Sequence, residues 1–332
     1  MMLSLIIPVH NGERELERCL QAIRDSSRHP DELIVVDDAS TDASAEVAQR
    51  WGARVIREPH GPRGPARARN NGAQVAQGEI LLFVDADVAV HPDTIARLEA
   101  RLRDDPTLAA VFGSYDDAPT DPGLVSQYKN LQHHWVHQHA RPEAQTFWAG
   151  CGAVRREAFE AVGGFDTRFA SATIEDIEFG LRLHDAGWRI ILDADIRCTH
   201  LKRWTLARML RADIWGRAIP WSRLIAARGQ APLDLNLDRS ARWSGALAWF
   251  AVVCCCVAWW WPWLLLLAIL AVAAIIWLNR AFYRFLWQRG GWPLLLVGMA
   301  LHLAYYLYST AIFAWFALPK LLWRRVRCAK KA

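Results

Sequence analysis

Two stretches set the terms for everything else in this chain. Residues 243–278 run for 36 positions without a charged side chain and residues 290–319 for 30; about 18 apolar residues already mark a transmembrane candidate. A buried core helix is the competing reading, but a soluble helix of this length needs a polar face. As one helix, 243–278 would be about 54 Å long against a hydrocarbon core of about 30 Å. The cluster Trp259-Trp260-Trp261-Pro262-Trp263 lies at its midpoint, where an aromatic interfacial belt would let the chain turn. The expectation is a hairpin of two crossings, 243–261 and 262–278, a third at 292–318, and a basic tail at 320–332. Arg280, Arg284 and Arg289 would return to the cytoplasm. A third crossing would then export the basic tail against the positive-inside tendency, so the orientation of the last segment stays open.

Composition divides the chain at the same place. Eleven of the 18 tryptophans lie at or beyond Trp243, and no acidic residue follows Asp238. With 332 residues there is room for a catalytic domain over 1–230, a linker over 231–242 and the apolar region. The net charge of +5 is not gathered into a basic stripe with interleaved aromatics, which argues against nucleic acid. The seven cysteines (19, 151, 198, 254–256 and 328) form neither a disulfide framework nor a Cys-x-x-Cys metal pair and read as reduced thiols. The apolar run from Leu3 to Val9 is too short for a signal peptide's core, so the first domain is expected to face the cytoplasm from the inner membrane.

Within 1–230 the pattern is that of an α/β fold. Leu3-Ser4-Leu5-Ile6-Ile7-Pro8-Val9 and Leu33-Ile34-Val35-Val36 are continuous apolar runs with a helical pattern, 13–24, between them, the strand-helix-strand unit of a parallel sheet. Helices at 44–51 and 66–77 and strands at 54–56 and 80–84 continue a doubly wound sheet, which binds ligands at the carboxyl ends of its strands. Farther on come a strand at 111–115, a helix at 124–138, a loop around Trp148 and Gly150, a helix at 174–186, a strand at 189–192 and a helical region at 204–228.

The chemistry-bearing residues fall at those strand ends. Asp85-Ala86-Asp87 follows the apolar strand 80–84; oxygen ligands with open positions suit Mg2+ or Mn2+ held also by a diphosphate. Asp37-Asp38-Ala39-Ser40-Thr41-Asp42 ends another strand on the same edge. Helix capping accounts for its later residues but not for Asp37 and Asp38. Glu175-Asp176-Ile177-Glu178 opens a helix, where the macrodipole favours carboxylates. The histidines at 133, 134, 137 and 139 have helical spacing that could hold zinc, yet no acid or cysteine completes such a set.

In their order and spacing, the Ile6-Ile7-Pro8-Val9-His10-Asn11-Gly12-Glu13 opening, the Val35-Val36-Asp37-Asp38-Ala39-Ser40-Thr41-Asp42 run, Ala68-Arg69-Asn70-Asn71-Gly72 with Gly78-Glu79, and Asp85-Ala86-Asp87 resemble an inverting, A-type-fold (GT-A) glycosyltransferase of family 2. Gly163-Gly164-Phe165-Asp166 and Glu175-Asp176 match it too. His10 stands where the family usually has tyrosine. The resemblance implies that Pro8, Val9, His10, Asn11, Glu13 and Asp38 line the nucleotide pocket. Arg69, with Arg67, would face the donor, and Asp85 and Ala86 would lie by the ribose. Asp87 would bind the cation, with His200 as a second ligand. Asp176, next to Glu175, would be the general base, while Trp148, Gly150 and Arg203 would stand on the acceptor side. The family's processive members carry Gln-x-x-Arg-Trp after the base. Residues 215–221 read Trp-Gly-Arg-Ala-Ile-Pro-Trp instead, which implies transfer of a single sugar.

The expected partners are a UDP-, GDP- or dTDP-sugar and a lipid-linked or membrane-proximal acceptor of cell-envelope polysaccharide or glycolipid synthesis. Lys202, Arg203, Arg208, Arg211, Arg217, Arg223 and Arg228 alternate with Trp204, Leu206, Met209, Leu210, Ile214, Trp215, Trp221 and Leu224, the composition of an interfacial helix. A nucleotidylyltransferase would want a glycine-rich phosphate loop with lysine near its N-terminus, which is absent here. For a membrane scaffold or transporter subunit, apolar segments without acids make a poor transport path.

Overall fold

Strands that are apolar on both faces must be covered on both faces, and the central sheet follows from that requirement. The computed structural model describes residues 1–59, 61–169, 171–229 and 239–320. β1 (Leu3–Val9) pairs in parallel with β2 (Glu32–Asp37) on one side and β4 (Ile80–Val84) on the other, and β2 pairs with β3 (Arg54–Arg57). Leu3, Leu5 and Ile7 of β1 pack towards α1 (Glu13–Arg24) and α2 (Ser44–Arg50), while Ile6 packs towards α3 (Pro65–Val75). α3 comes so near that a Cβ at Gly72 would lie 2.5 Å from the Ile6 Cγ2. All four parallel strands therefore deliver their following loops to one edge.

Beyond β4 the sheet is mixed. Its order is β3-β2-β1-β4-β8-β6-β9-β5, with β7 (Glu143–Ala144) on β9. β8 (Cys151–Arg155) is antiparallel to β4 and to β6 (Leu108–Tyr115), β9 (Arg189–His200) is parallel to β6, and β5 (Val88–Val90) closes the order antiparallel to β9. α4 (Thr94–Asp104) covers one face; α6 (Arg156–Ala161) and α7 (Glu175–Asp185) cover the other with Phe159 and Phe179. β9 runs to His200, eight residues beyond the strand expected from sequence, because its register against β6 shifts between Phe112 and Ser114 and pairing resumes at Arg197.

The described residues fall into two compact units: 1–122 with 130–203, and 123–129 with 204–320. α5 (Leu124–His139) contributes its first residues to the second unit and the rest to the first. The first unit stops at Arg203.

In the second unit a helical run comprises α8 (Leu206–Arg211), a π-helical turn (Ala212–Ala218) and α9 (Ile219–Arg228). Its buried Asp213 accepts hydrogen bonds from Lys129 Nζ at 2.6 Å and Tyr308 Oη at 2.9 Å. Burial pushes Lys129 down to about 8 despite the Asp213 charge. α10 (Arg239–Val257) begins inside the expected linker, whose residues 231–238 lie outside the described residues, as do 321–332 of the basic tail. Thus 239–242 are the helix's first turn, since nothing in Arg-Ser-Ala-Arg breaks a helix.

α10 stops at Val257; Trp259 to Trp263 form an exposed turn before α11 (Leu264–Leu278). α12 (Arg280–Phe316) is broken at Gly290 and Gly291, the latter at φ 63° and ψ −157°, a conformation only glycine adopts readily. α10 from Ser240 and α12 are long and apolar enough to cross a membrane; α11, with 15 residues, is shorter.

One contact fixes the helix that carries the acidic pair Glu175-Asp176. Gly180 of α7 lies on the backbone of Thr146 and Phe147, so that a Cβ there would come within 2.6 Å of Thr146 Cα. Backbone cannot swing aside as a side chain does, so Gly180→Ala is expected to cost about 1–3 kcal/mol, the usual range for overpacking. Thermal unfolding of the purified full chain checks this; an unchanged midpoint would refute the contact.

Candidate active site at the sheet edge

The loops after β1 and β2 are stitched together by side chains that reach backbone amides. Asn11 Oδ1 accepts from Thr41 N at 2.7 Å and from Thr41 Oγ1 at 3.1 Å, and Asn11 N donates to Ser40 Oγ at 2.9 Å. Gly12 N donates to Ser44 Oγ and Glu13 N to Asp42 Oδ2, each at 3.1 Å. His10 is exposed, and its Nδ1 donates to the Asp38 carbonyl at 2.8 Å. Two non-glycine residues here have left-handed backbone, Asn11 at φ 51° and Ala39 at φ 58°. Such conformations persist where the surroundings over-determine them and cluster at functional sites. Asp38 is 5% exposed, and its two oxygens accept from Arg63 N and Gly64 N, both at 2.8 Å. Its carboxylate thus pins the loop ahead of α3 to the end of β2. Pro8 is half-buried and Val9 buried, in register with Val36 and Asp37.

Arg69 joins three elements. Its Nη2 donates to Asp85 Oδ1 at 2.6 Å and its Nη1 to Glu175 Oε1 at 2.9 Å, with the guanidinium carbon 5.4 Å from the Phe165 ring centre. The next residue, Asn70, clamps the backbone of Phe165, donating from Nδ2 to its carbonyl at 2.7 Å and accepting from its N–H at 2.9 Å. Gly164, at φ 68°, is required beside that clamp, since a Cβ would stand 2.7 Å from Asn70 Oδ1.

Asp87 and His200 face each other across the paired strands β5 and β9, with Oδ2 and Nε2 3.7 Å apart. His200 Nδ1 donates to Asn130 Oδ1 at 2.7 Å, which turns Nε2 towards Asp87, and its ring stacks on Tyr115 at 4.3 Å. Lys202 Nζ lies 3.3 Å from the same Asp87 oxygen. Burial works against ionisation of Asp87, but Lys202 and His200 outweigh it and hold the carboxyl below the usual carboxylate range. A carboxylate and an imidazole facing one another fit a divalent cation such as Mn2+. Among the described residues no group of three His, Cys, Asp or Glu converges, so this pair would leave positions for ligands from a substrate. The histidines of α5 do other work: His134 Nδ1 donates to the Tyr115 carbonyl at 2.8 Å, and His133 stacks on the Tyr115 ring.

Asp176 is half-buried. Its Oδ1 accepts from Ile177 N at 2.8 Å, and Ala149 N lies 3.4 Å from Oδ2. Burial first, then the neighbouring Glu175 charge, push it up to about 7 against the opposing pull of Arg69. The 148–150 loop reaches Asp85 as well, whose N–H donates to the Gly150 carbonyl at 3.1 Å. Gly150 admits the Trp148 indole, 2.5 Å from where a Cβ would be. Ala86 packs against the core below.

Asp85, Arg69, Glu175, Asp176 and the 148–150 loop therefore form one connected group, and Asp87 with His200 follows Asp85 along the chain. Arg67 is exposed and enters none of these contacts. Arg203 is exposed too, with its Nε 3.4 Å from Asp121 Oδ2. Asn70, Asn130, Tyr115 and Lys202 were not singled out for these contacts by sequence. For Asn70 the signal was present in the Arg-Asn-Asn run; Asn130 and Tyr115 offer none, since they meet His200 only through tertiary pairing.

A raised carboxyl leaves a mark on stability. Between its ordinary value of 3.8 and about 7, folded Asp176 keeps a proton that the unfolded chain has lost, so stability falls as pH rises through that window. The melting temperature of Asp176→Asn relative to wild type is expected to rise from pH 4 to pH 8. Melting curves with a pH-independent difference would contradict the assignment.

The family model described as glycosyl transferase family 2 matches residues 4–163. Validoxylamine A glucosyltransferase of Streptomyces hygroscopicus subsp. limoneus is 29% identical over 275 residues, 73% of this chain and 56% of that protein. The probable glycosyltransferase YdaM of Bacillus subtilis is 25% identical over 202 residues, 56% of this chain and 47% of that protein. The chain thus spans about half the length of these curated relatives. A mannosyltransferase from Pyrobaculum calidifontis, solved with GDP-Man and Mn2+, shares the fold with a TM-score of 0.56 at 22% identity, covering 94% of this chain and 87% of that one. TarS 1–349 of S. aureus with UDP-GlcNAc gives 0.52 at 20% identity, covering 74% and 70%. The α/β unit thus has the GT-A-like fold, and its residues 4–163 are what match glycosyl transferase family 2.

Proposed function

We propose that the protein is an inverting, non-processive glycosyltransferase that moves one sugar from a nucleoside-diphosphate donor to a membrane-associated, lipid-linked acceptor, with a divalent cation and Asp176 as general base. The observation that carries this reading is the division of labour among carboxylates at one sheet edge. Asp87 is kept charged opposite His200, while Asp176 is raised towards neutrality on another element. Groups with separated proton affinities are how one site runs charge stabilisation and proton transfer together.

In this reading the nucleoside lies over the stitched loops, with Pro8, Val9, His10, Asn11, Glu13 and Asp38 around it and Arg67 near the donor. Asp85 and Ala86 lie by the ribose. Mg2+ or Mn2+ at Asp87 and His200 would neutralise the charge of the departing diphosphate. Asp176 takes the proton of the acceptor hydroxyl as its oxygen attacks the anomeric carbon, and the diphosphate departs from the opposite face, inverting that centre. Glu175 is committed to Arg69 and to Thr173 N, which leaves Asp176 as the proton acceptor. Trp148, Gly150 and Arg203 belong to the acceptor side. The donor bound by the Pyrobaculum calidifontis protein carries GDP and that of TarS carries UDP, so both bases, with dTDP, are candidates. Support for the metal comes from the Mn2+ of the former.

The two roles separate in kinetics. Asp87→Ala is expected to abolish both turnover and Mn2+-dependent binding of nucleoside diphosphate. Asp176→Asn should keep that binding and lose at least about 100-fold in kcat, since a base acts only in the transition state. Titration calorimetry with UDP and GDP, alongside nucleotide release from UDP-, GDP- and dTDP-sugars, checks both. Full turnover in excess chelator would remove the metal, and a parallel fall of affinity and rate in Asp176→Asn would move that residue to the donor site.

The domain scheme proposed with this reading is a catalytic region over 1–230 facing the cytoplasm and a C-terminal region in the inner membrane. α10 and α12 have the length and composition of spans, and Trp215 is 63% exposed among arginines, as an interfacial segment requires. Full-length protein is expected to glycosylate polyprenyl phosphate in liposomes at least about tenfold faster than a water-soluble acceptor, from the gain in effective concentration. Equal rates would reduce the C-terminal region to a tether.

A further inference from the structure

We propose that Arg69 is a positioning residue that aligns Asp176 by tying the start of α7 to the end of β4 through Glu175 and Asp85. The inference rests on the reading of Asp176 as the base. It assigns Arg69 a role distinct from contact with the donor: the side chain is nearly wholly buried, and both of its terminal nitrogens already donate to carboxylates, at 2.6 and 2.9 Å.

The start of α7 needs such a tie. Its N-cap position, Ile174, offers no side-chain cap, so the free amides of the first turn are held otherwise. Glu175 Oε2 accepts from Thr173 N at 2.8 Å while its Oε1 accepts from Arg69. This carboxylate thus fixes both the turn before the helix and the helix's distance from α3. Asp176 is the next residue and inherits that placement. Its remaining restraints are two single amides, that of Ile177 at 2.8 Å on its own helix and that of Ala149, from the loop ahead of β8, at the longer 3.4 Å. On the far side Arg69 rests against the Phe165 ring, whose backbone Asn70 clamps. Arg69 Nε is buried with no partner among the described residues, so the guanidinium is set by its two carboxylates and not by a full complement of acceptors.

The same cluster governs Asp176 electrostatically. The charged groups that act on it are Glu175 on its own helix, Arg69 from α3 and Asp85 from the end of β4. Glu175 and Asp85 favour the protonated form, and Arg69 favours the anion. Removing Arg69 and removing Glu175 should therefore shift the pH at which the base becomes active in opposite directions, which a scaffolding role would not do.

The test uses the full-length protein with Mn2+ and whichever UDP-, GDP- or dTDP-sugar is turned over, following nucleotide release from pH 5 to 9. In Arg69→Met the acidic limb of kcat is expected to move up by about one pH unit, and in Glu175→Gln down by a similar amount. Arg69→Lys, which keeps the charge but not the two-pronged geometry, should retain the wild-type limb while kcat falls about tenfold and donor KM changes less than about threefold. Limbs that stay in place in both charge-removing variants, or shift in the same direction, overturn the proposal. So does a rise in donor KM at unchanged kcat in Arg69→Lys, which would make Arg69 a donor ligand. Should Arg69→Met fail to fold, Glu175→Gln and Arg69→Lys decide by the same criteria. Wild-type turnover in Asp176→Asn would instead overturn the base itself; an inactive Asp176→Asn with unmoved limbs overturns the Arg69 inference alone.

Discussion

A guanidinium that is 3% exposed must meet counter-charge, because an unpaired buried charge is among the most costly features a fold can carry. Arg69 meets two carboxylates, and they come from opposite halves of the first unit: Asp85 from the last strand of the parallel run and Glu175 from the helix over the mixed part. The parallel half cannot close its edge around a ligand alone, since its strands only deliver loops there. The mixed half is brought to that edge by β8, which lies antiparallel between β4 and β6. The loop ahead of β8 meets Asp85 at one point and Asp176 at another. Buried charge at the top and strand pairing beneath thus impose the same arrangement.

The opposite side of the edge is organised by side chains that accept from backbone amides. Asn11, Ser40, Asp42 and Ser44 spend their side chains on backbone amides of the facing loop, and Asp38 spends both oxygens on the loop ahead of α3. Left-handed Asn11 is held by Ser40 and Thr41 of the other loop, and left-handed Ala39 stands between Asp38 and Ser40, which bond to His10 and Asn11. Such pre-organisation lowers the ordering cost of binding. It also explains why an Asp-Asp pair ends β2. Asp37 turns back to the Ser40 amide and Asp38 goes forward to Arg63 and Gly64, two loops that one carboxylate could not serve.

The parallel strands were legible because they are continuous apolar runs bounded by turn residues: β1 and β4 end where the runs end. Cys151-Gly152-Ala153-Val154-Arg155 was not, since small residues and glycine have little strand propensity. Gly152 is there because Phe147 and the Trp148 carbonyl crowd the position. The extension of β9 to His200 was hidden for a related reason: Asp193-Ala194-Asp195 reads as a turn and is a register shift. In the site, the acids after β2 and β4 are conspicuous as charge at the end of a buried strand, and the Glu-Asp pair as acids opening a helix. Their partners are not, because Asn130 and Tyr115 reach His200 only once β6, β9 and α5 are assembled. The helix breaks at 258–263 and 290–291 follow from Trp-Pro and Gly-Gly sequences. α10 starts at Arg239, four residues before the uncharged stretch begins.

Charge placement in the first unit pushes Asp87 and Asp176 to opposite sides of the ordinary carboxylate range. Asp87 keeps its charge because Lys202 and His200 stand beside it, whereas Asp176 has a carboxylate next to it and the compensating arginine one residue removed. The asymmetry arises from sequence neighbours: Glu175 takes the direct bond to Arg69 and thereby denies it to Asp176. Had the order been reversed, the residue at 176 would share the buried ion pair and lose its affinity for a proton near neutral pH. On the reading proposed for this site, the Glu-Asp order at 175–176 is thus a chemical requirement as well as a structural one. The first acid anchors the helix and raises the proton affinity of the second, and the second is left with the half-open position in which a hydroxyl can meet it.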